Sequence, residues 1–150
     1  MKKIILFISL FTFLSVGNAF ENHQEFNKKI LKSIEKFKIN PIGDKSIPII
    51  KEIIEFTKNS DTVSVKIYPN LFPVNTNASE TSYDFKLFGA FIIGNIEYQL
   101  KNNLKINRGK EGAEMLYFVY KKIRKVDSKF KIPNIYNWVR KERQTQKENI

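Results

Sequence analysis

Apolar residues recur at every third or fourth position through most of this chain, and the breaks in that rhythm divide it into helical stretches. Phe26, Ile30, Leu31, Ile34 and Phe37 form the first apolar stripe, with Lys28, Lys29, Lys32 and Lys36 between them, the pattern of an amphipathic helix. Asn40-Pro41 and Gly43-Asp44 end it. Ser46 is placed to cap a second helix, with Pro48 in a first turn where a missing N–H costs nothing. Its apolar side is Ile49, Ile50, Ile53, Ile54 and Phe56, and Asn59-Ser60-Asp61 stops it.

Thr62 to Tyr68 changes the period: Val63, Val65 and Ile67 alternate with Ser64, Lys66 and Tyr68, as in a half-buried strand. No other stretch offers a convincing partner strand, so this segment is expected to lie extended across helices or to be a short helix. Pro69 and Pro73 impose extended backbone, and Val74 to Ser79 reads as polar loop. Thr81-Ser82-Tyr83-Asp84 has the form of a capping box, opening a helix on which Leu87, Phe88, Phe91, Ile92, Ile93 and Ile96 cover most of the circumference. Such a helix belongs at the centre, packed by the others. Gly89 and Gly94 inside it each cost about 1 kcal/mol relative to Ala, and close approach of a neighbour is the expected compensation.

Asn107-Arg108-Gly109 marks a turn. Met115, Leu116, Val119, Ile123 and Val126 then define another helix, with Glu111 and Glu114 near its N-terminal end and Lys121, Lys122, Arg124 and Lys125 near its C-terminal end, the arrangement that a helix dipole favours. A last short helix follows Pro133, anchored by Ile135, Trp138 and Val139, and the polar run after Arg140 is expected to fray. The pattern predicts an all-α fold, a compact bundle of about five helices with one short extended segment near 62–68.

The N-terminus has a different logic. Met1-Lys2-Lys3, the apolar run Ile4 to Val16 and the small residues of Gly17-Asn18-Ala19 have the order of a cleavable signal peptide. The expected domain plan is therefore a signal at 1–19, one helical domain over 20–140 and a polar tail at 141–150. Such a mature chain would begin at Phe20, work in the periplasm or outside the cell, and carry no transmembrane segment. The chain has no Cys, so disulfides and lipid-modified cysteine are both excluded.

Charge is placed unevenly. Residues 101–150 hold 14 basic against 5 acidic side chains, whereas 61–100 hold 2 against 4. A field of that sign favours an anionic partner. Chemistry is limited by what is missing: His23 is the single histidine and no cysteine accompanies it, which excludes Cys-His and Ser-His-Asp nucleophilic machinery in the body of the domain and the usual zinc constellations. No Gly-rich phosphate loop occurs, and no cofactor is expected.

Two classes of function are left. Tyr117 and Tyr120 lie one turn apart, with Arg124 a further turn on, and with Lys121, Lys122 and Lys125 they make an aromatic and basic strip suited to stacking on rings and attracting anions. Tyr98 and Trp138 are candidates to extend it. This favours a non-enzymatic exported binding module whose partner is an anionic envelope component or another protein, with no nucleic acid expected. The alternative is a glycan-active enzyme using paired carboxylates, Glu52 with Glu55 or Glu111 with Glu114, at i, i+3 spacing on one helical face.

Overall fold

The helices form where the apolar rhythm places them: α1 takes in residues 24–39, α2 Ser46–Asn59, α3 Tyr83–Asn102, α4 Gly109–Val126 and α5 Ile135–Thr145. A single 3-10 turn, Pro69–Leu71, interrupts the connection from α2 to α3. The chain is all-α, and no strand occurs among the described residues. The architecture comes from a computed structural model that describes residues 24–145; the expected signal peptide at 1–19, Phe20, His23 and residues 146–150 lie outside them. α5 runs on through Thr145, so residues 141–145 extend the last helix rather than fraying.

From Ser33 onward the chain forms one compact unit built on α3. Leu87, Ala90, Phe91, Ile92, Ile93 and Ile96 of that helix are all buried, as its nearly unbroken apolar circumference requires. α3 packs directly against α2 and α4, while α5 packs on α4. α5 reaches α3 through one side chain, Trp138, whose ring lies 6.0 Å from that of Phe91. Ile34, Phe37, Ile50, Ile53, Leu116 and Ile123 complete the interior with no accessible surface, each side chain of that size contributing about 1.5–3 kcal/mol.

The glycines set how closely α3 is approached. A Cβ on Gly94 would collide with the Glu111 carbonyl oxygen and lie 2.6 Å from Met115 Cβ, so α4 backbone sits directly on this position. Gly112 of α4 reciprocates, since a Cβ there would lie 2.7 Å from the Phe91 carbonyl oxygen. On the other side of α3, Gly89 leaves room for Ile50 of α2, whose Cγ2 would stand 2.5 Å from a Cβ. Close approach is thus the compensation for glycine in a helix.

The segment after α2 solves its backbone pairing without a strand. Gln99 of α3, fully buried, accepts a hydrogen bond from Ser64 N–H at 2.8 Å and donates its amide to the Ser64 carbonyl at 2.8 Å. Two residues on, Lys66 N–H donates to Asn107 Oδ1 at 2.8 Å. Asn95, also fully buried, ties these together: its Oδ1 accepts from Gln99 Nε2 at 2.6 Å and from Arg108 N–H at 2.9 Å, and its Nδ2 donates to Asn107 Oδ1 at 2.9 Å. Side-chain amides of α3 and of the α3–α4 turn thereby stand in for a neighbouring strand. The amide orientations follow from the network, because each oxygen faces an N–H.

Two expected caps are corrected. Ser46 does not cap α2; its hydroxyl donates backward to the Gly43 carbonyl at 2.7 Å, and Lys45 holds the cap position with no side-chain hydrogen bond. Ser82, not Thr81, caps α3, accepting from Phe85 N–H at 3.2 Å, which moves the motif by one residue. Lys86 in the next turn is buried and donates its ammonium to the Ile42 carbonyl at 2.6 Å, fastening α3 to the α1–α2 turn. At the far end Asn103 takes a left-handed conformation, φ 50°, and closes α3 by donating to the Gln99 carbonyl.

Candidate binding surfaces

Along the solvent side of α4 the rings do assemble. Tyr117 stacks on Tyr120 with centroids 6.2 Å apart and planes 26° from parallel. Tyr136 of α5 meets Tyr117 edge-on at 6.2 Å, and at the other end Phe130 lies 6.3 Å from Tyr120 and 5.1 Å from Tyr83, the first residue of α3. The result is a file of rings running Tyr136, Tyr117, Tyr120, Phe130, Tyr83. Tyr136 is 67% exposed and the other four are half-buried, so the file presents edges and faces to solvent while its inner side rests on the protein.

The cations divide. Lys121 lies over the Tyr117 ring, 5.2 Å from its centroid, and Lys125 follows one turn later, exposed on the same side. Exposed Lys129 and Lys131 flank Phe130 in the chain. Lys122 points elsewhere, over Phe118 at 5.0 Å. Arg124 is committed to structure: its guanidinium donates to the Ser128 carbonyl and to the Phe130 carbonyl at 3.0 Å, holding the turn that positions Phe130. Tyr98 and Trp138 do not extend the strip. Arg108 lies over Tyr98 at 4.1 Å, and Trp138 packs edge-on to Phe72 at 5.4 Å.

That second aromatic group floors a cleft of about 570 Å³ between the 66–72 segment, the α3–α4 turn and α5. Phe72 contacts Phe91 at 4.9 Å and Trp138 at 5.4 Å, while Lys66, Arg108 and Lys141 stand around the opening with one carboxylate, Glu142. Burial pushes the Glu142 carboxyl up from its ordinary value, and the charge of Lys141 offsets this only in part. No second acid lines this cleft among the described residues, so it lacks the facing pair that glycoside hydrolysis uses.

The carboxylates proposed for that chemistry are engaged separately. Glu52 accepts from Ser33 at 2.8 Å and Glu55 from Asn59 at 2.7 Å. Glu111 pairs with Arg108 at 3.0 Å, and Glu114 with Arg143 of α5 at 3.3 Å. Both line a shallow groove of about 380 Å³ together with Glu97, which is bridged to Lys38 of α1 at 2.7 Å and to Lys101. Burial alone would raise the Glu97 carboxyl, but hydrogen bonds from Lys101 and Lys38, with their charges, outweigh it and hold it below its ordinary value.

Among the described residues no group of three or more His, Cys, Asp or Glu side chains is placed to hold a metal ion, and no helix is long and apolar enough to cross a membrane. No protein-family model, no curated protein and no solved structure matches this chain.

Proposed function

We propose that this protein is an exported, non-enzymatic binding module whose aromatic and basic face engages an anionic glycan polymer of the cell envelope. The observation that carries the reading is the file of five rings from three helices and a turn, with Lys121 over Tyr117 and Lys125, Lys129 and Lys131 beside it. The half-buried rings leave aromatic surface in solvent against which sugar rings pack, and the ammonium groups meet the anionic substituents. A positive field concentrated in residues 101–150 would draw such a polymer from a distance. The export signal at 1–19 supplies the compartment.

Co-sedimentation with an insoluble anionic wall glycan, against a neutral glycan of the same backbone, tests this. Binding is expected to the anionic material, to weaken steeply with salt because exposed charges are screened over about 8 Å at physiological ionic strength, and to disappear when Lys121, Lys125, Lys129 and Lys131 are replaced by Glu. Equal binding by wild type and the charge-reversed variant at low salt would overturn it.

A further inference from the structure

The cleft of about 570 Å³ between the 66–72 segment, the α3–α4 turn and α5 falls in the size range of small-molecule sites. Its floor is aromatic, with Phe72 edge-on to Phe91 at 4.9 Å and to Trp138 at 5.4 Å. Its walls are apolar as well, because Tyr68, Leu71 and Ile106 line it while remaining 63%, 67% and 52% exposed. Apolar surface is thus held open to solvent around a hollow.

Two charges of opposite sign complete the lining. Glu142 of α5 and Lys66 of the extended segment stand on different walls, and neither side chain makes a hydrogen bond or ion pair among the described residues. The other two cations are accounted for: Arg108 is paired with Glu111 at 3.0 Å, and Lys141 is not free. The Glu142 carboxylate is seated against the start of α4, since a Cβ on Gly109 would lie 2.6 Å from its Oε2 and glycine leaves that place to it. Burial raises the carboxyl above its ordinary value, so folding alone does not favour an acid here. An acid kept at such a cost inside a hollow has the mark of a group that meets a ligand.

We propose that this cleft binds a small apolar zwitterion, a free amino acid or short peptide, with its ammonium on Glu142, its carboxylate on Lys66 and its side chain on the floor of Phe72, Phe91 and Trp138. Other charge classes fit worse. A simple anion meets Glu142, a simple cation meets Lys66, and an uncharged apolar molecule takes water from both groups and gives neither a partner. A zwitterion answers the two together, while its ring or branched side chain gains the aromatic contacts.

The test titrates the full chain with L-phenylalanine and with diphenylalanine, followed by the emission of Trp138, the one tryptophan of the chain. At least one of the two is expected to saturate the signal, and the tighter of them assigns the site to free amino acids or to peptides. Acetylating the ligand's amine, or amidating its carboxylate, is expected to weaken binding by about tenfold to a hundredfold, the loss of one charged hydrogen bond. Glu142→Gln reproduces the first loss and leaves the acetylated ligand's affinity unchanged; Lys66→Gln reproduces the second and leaves the amidated ligand's unchanged. Removing a buried charge does not destabilise α5, so weaker binding by E142Q is not a loss of fold.

No change in emission with either zwitterion at millimolar concentration would overturn the proposal. So would a blocked ligand that binds as tightly as the free one, or unchanged affinity for the zwitterion in E142Q. The cleft shares no residue with the ring file, so failure here leaves the glycan reading standing, and the reverse also holds.

Discussion

Gly94 and Gln99 sit little more than a turn apart on α3 and do opposite things, one by having no side chain and the other by having a buried polar one. At Gly94 the α4 backbone occupies the place of a Cβ. Gly94→Ala is expected to lower stability by about 1–3 kcal/mol through overpacking, although helix propensity alone would raise it by about 1 kcal/mol. Thermal unfolding decides between the two effects, and a melting temperature at or above wild type would show that α4 yields easily. Gln99→Leu keeps the helix and nearly the volume but strips partners from Ser64 N–H, the Ser64 carbonyl and Asn95 Oδ1. Buried groups left unsatisfied cost about 1–3 kcal/mol each. Chemical denaturation is expected to register a loss in that range or above, with the Ser64 amide losing its protection from hydrogen exchange. Single-residue spacing does not disclose either partner. What the sequence does show is Asn95 and Gln99, one turn apart, breaking the apolar circumference of α3, and a polar pair on a central helix implies a buried acceptor or donor elsewhere.

Between elements, charge does two opposite jobs. Glu97 of α3 bridges Lys38 of α1 and Lys101, and its carboxyl is held below the ordinary value of 4.5. The folded state therefore binds this proton less readily than the unfolded one, so the stabilisation is full above about 4.5 and is lost as pH falls through the lower folded value. Glu142 of α5 is the reverse: burial raises its carboxyl, so its cost appears only as pH climbs past 4.5 and through the higher folded value. Glu97→Gln is thus expected to lower the melting temperature at neutral pH, and Glu142→Gln to raise it, with both differences shrinking toward zero in acid. Melting curves across that range check the signs.

The elements themselves are legible in sequence because amphipathic spacing is local, and all five helices stand where that spacing puts them. Caps are legible only to within a residue or a direction, since Ser46 bonds backward and Ser82 replaces Thr81. The ring strip is half legible: Tyr117, Tyr120 and Lys121 share one helix, but Phe130, Tyr136 and Tyr83 arrive from other elements, which spacing does not encode. The partners of Arg124 are not legible either, because the Ser128 and Phe130 carbonyls it grips belong to the turn that follows α4.

For the whole molecule, the question is whether the excess of positive charge in residues 101–150 acts as a solubilising coat or as one half of a specific surface. A coat would attract any polyanion in proportion to charge, whatever the rings did. A surface in which sugars stack requires both. Replacing Tyr117 and Tyr136 with Ala leaves every charge in place and removes two rings from one end of the file. Under the proposed function, this variant keeps the salt dependence of binding, which counts ionic contacts, but loses about 1–3 kcal/mol per stacked ring, the scale measured for bases on aromatic side chains. Charge reversal at Lys121, Lys125, Lys129 and Lys131 does the complementary thing, flattening the salt dependence. The two curves, measured by co-sedimentation with the same anionic glycan from low to high salt, are expected to be displaced in different ways: the ring variant parallel to wild type and weaker, the charge variant weak and nearly level. A ring variant that coincides with wild type at every salt concentration would reduce the strip to its lysines and return the aromatic file to a structural role, covering the seam between α4 and α5.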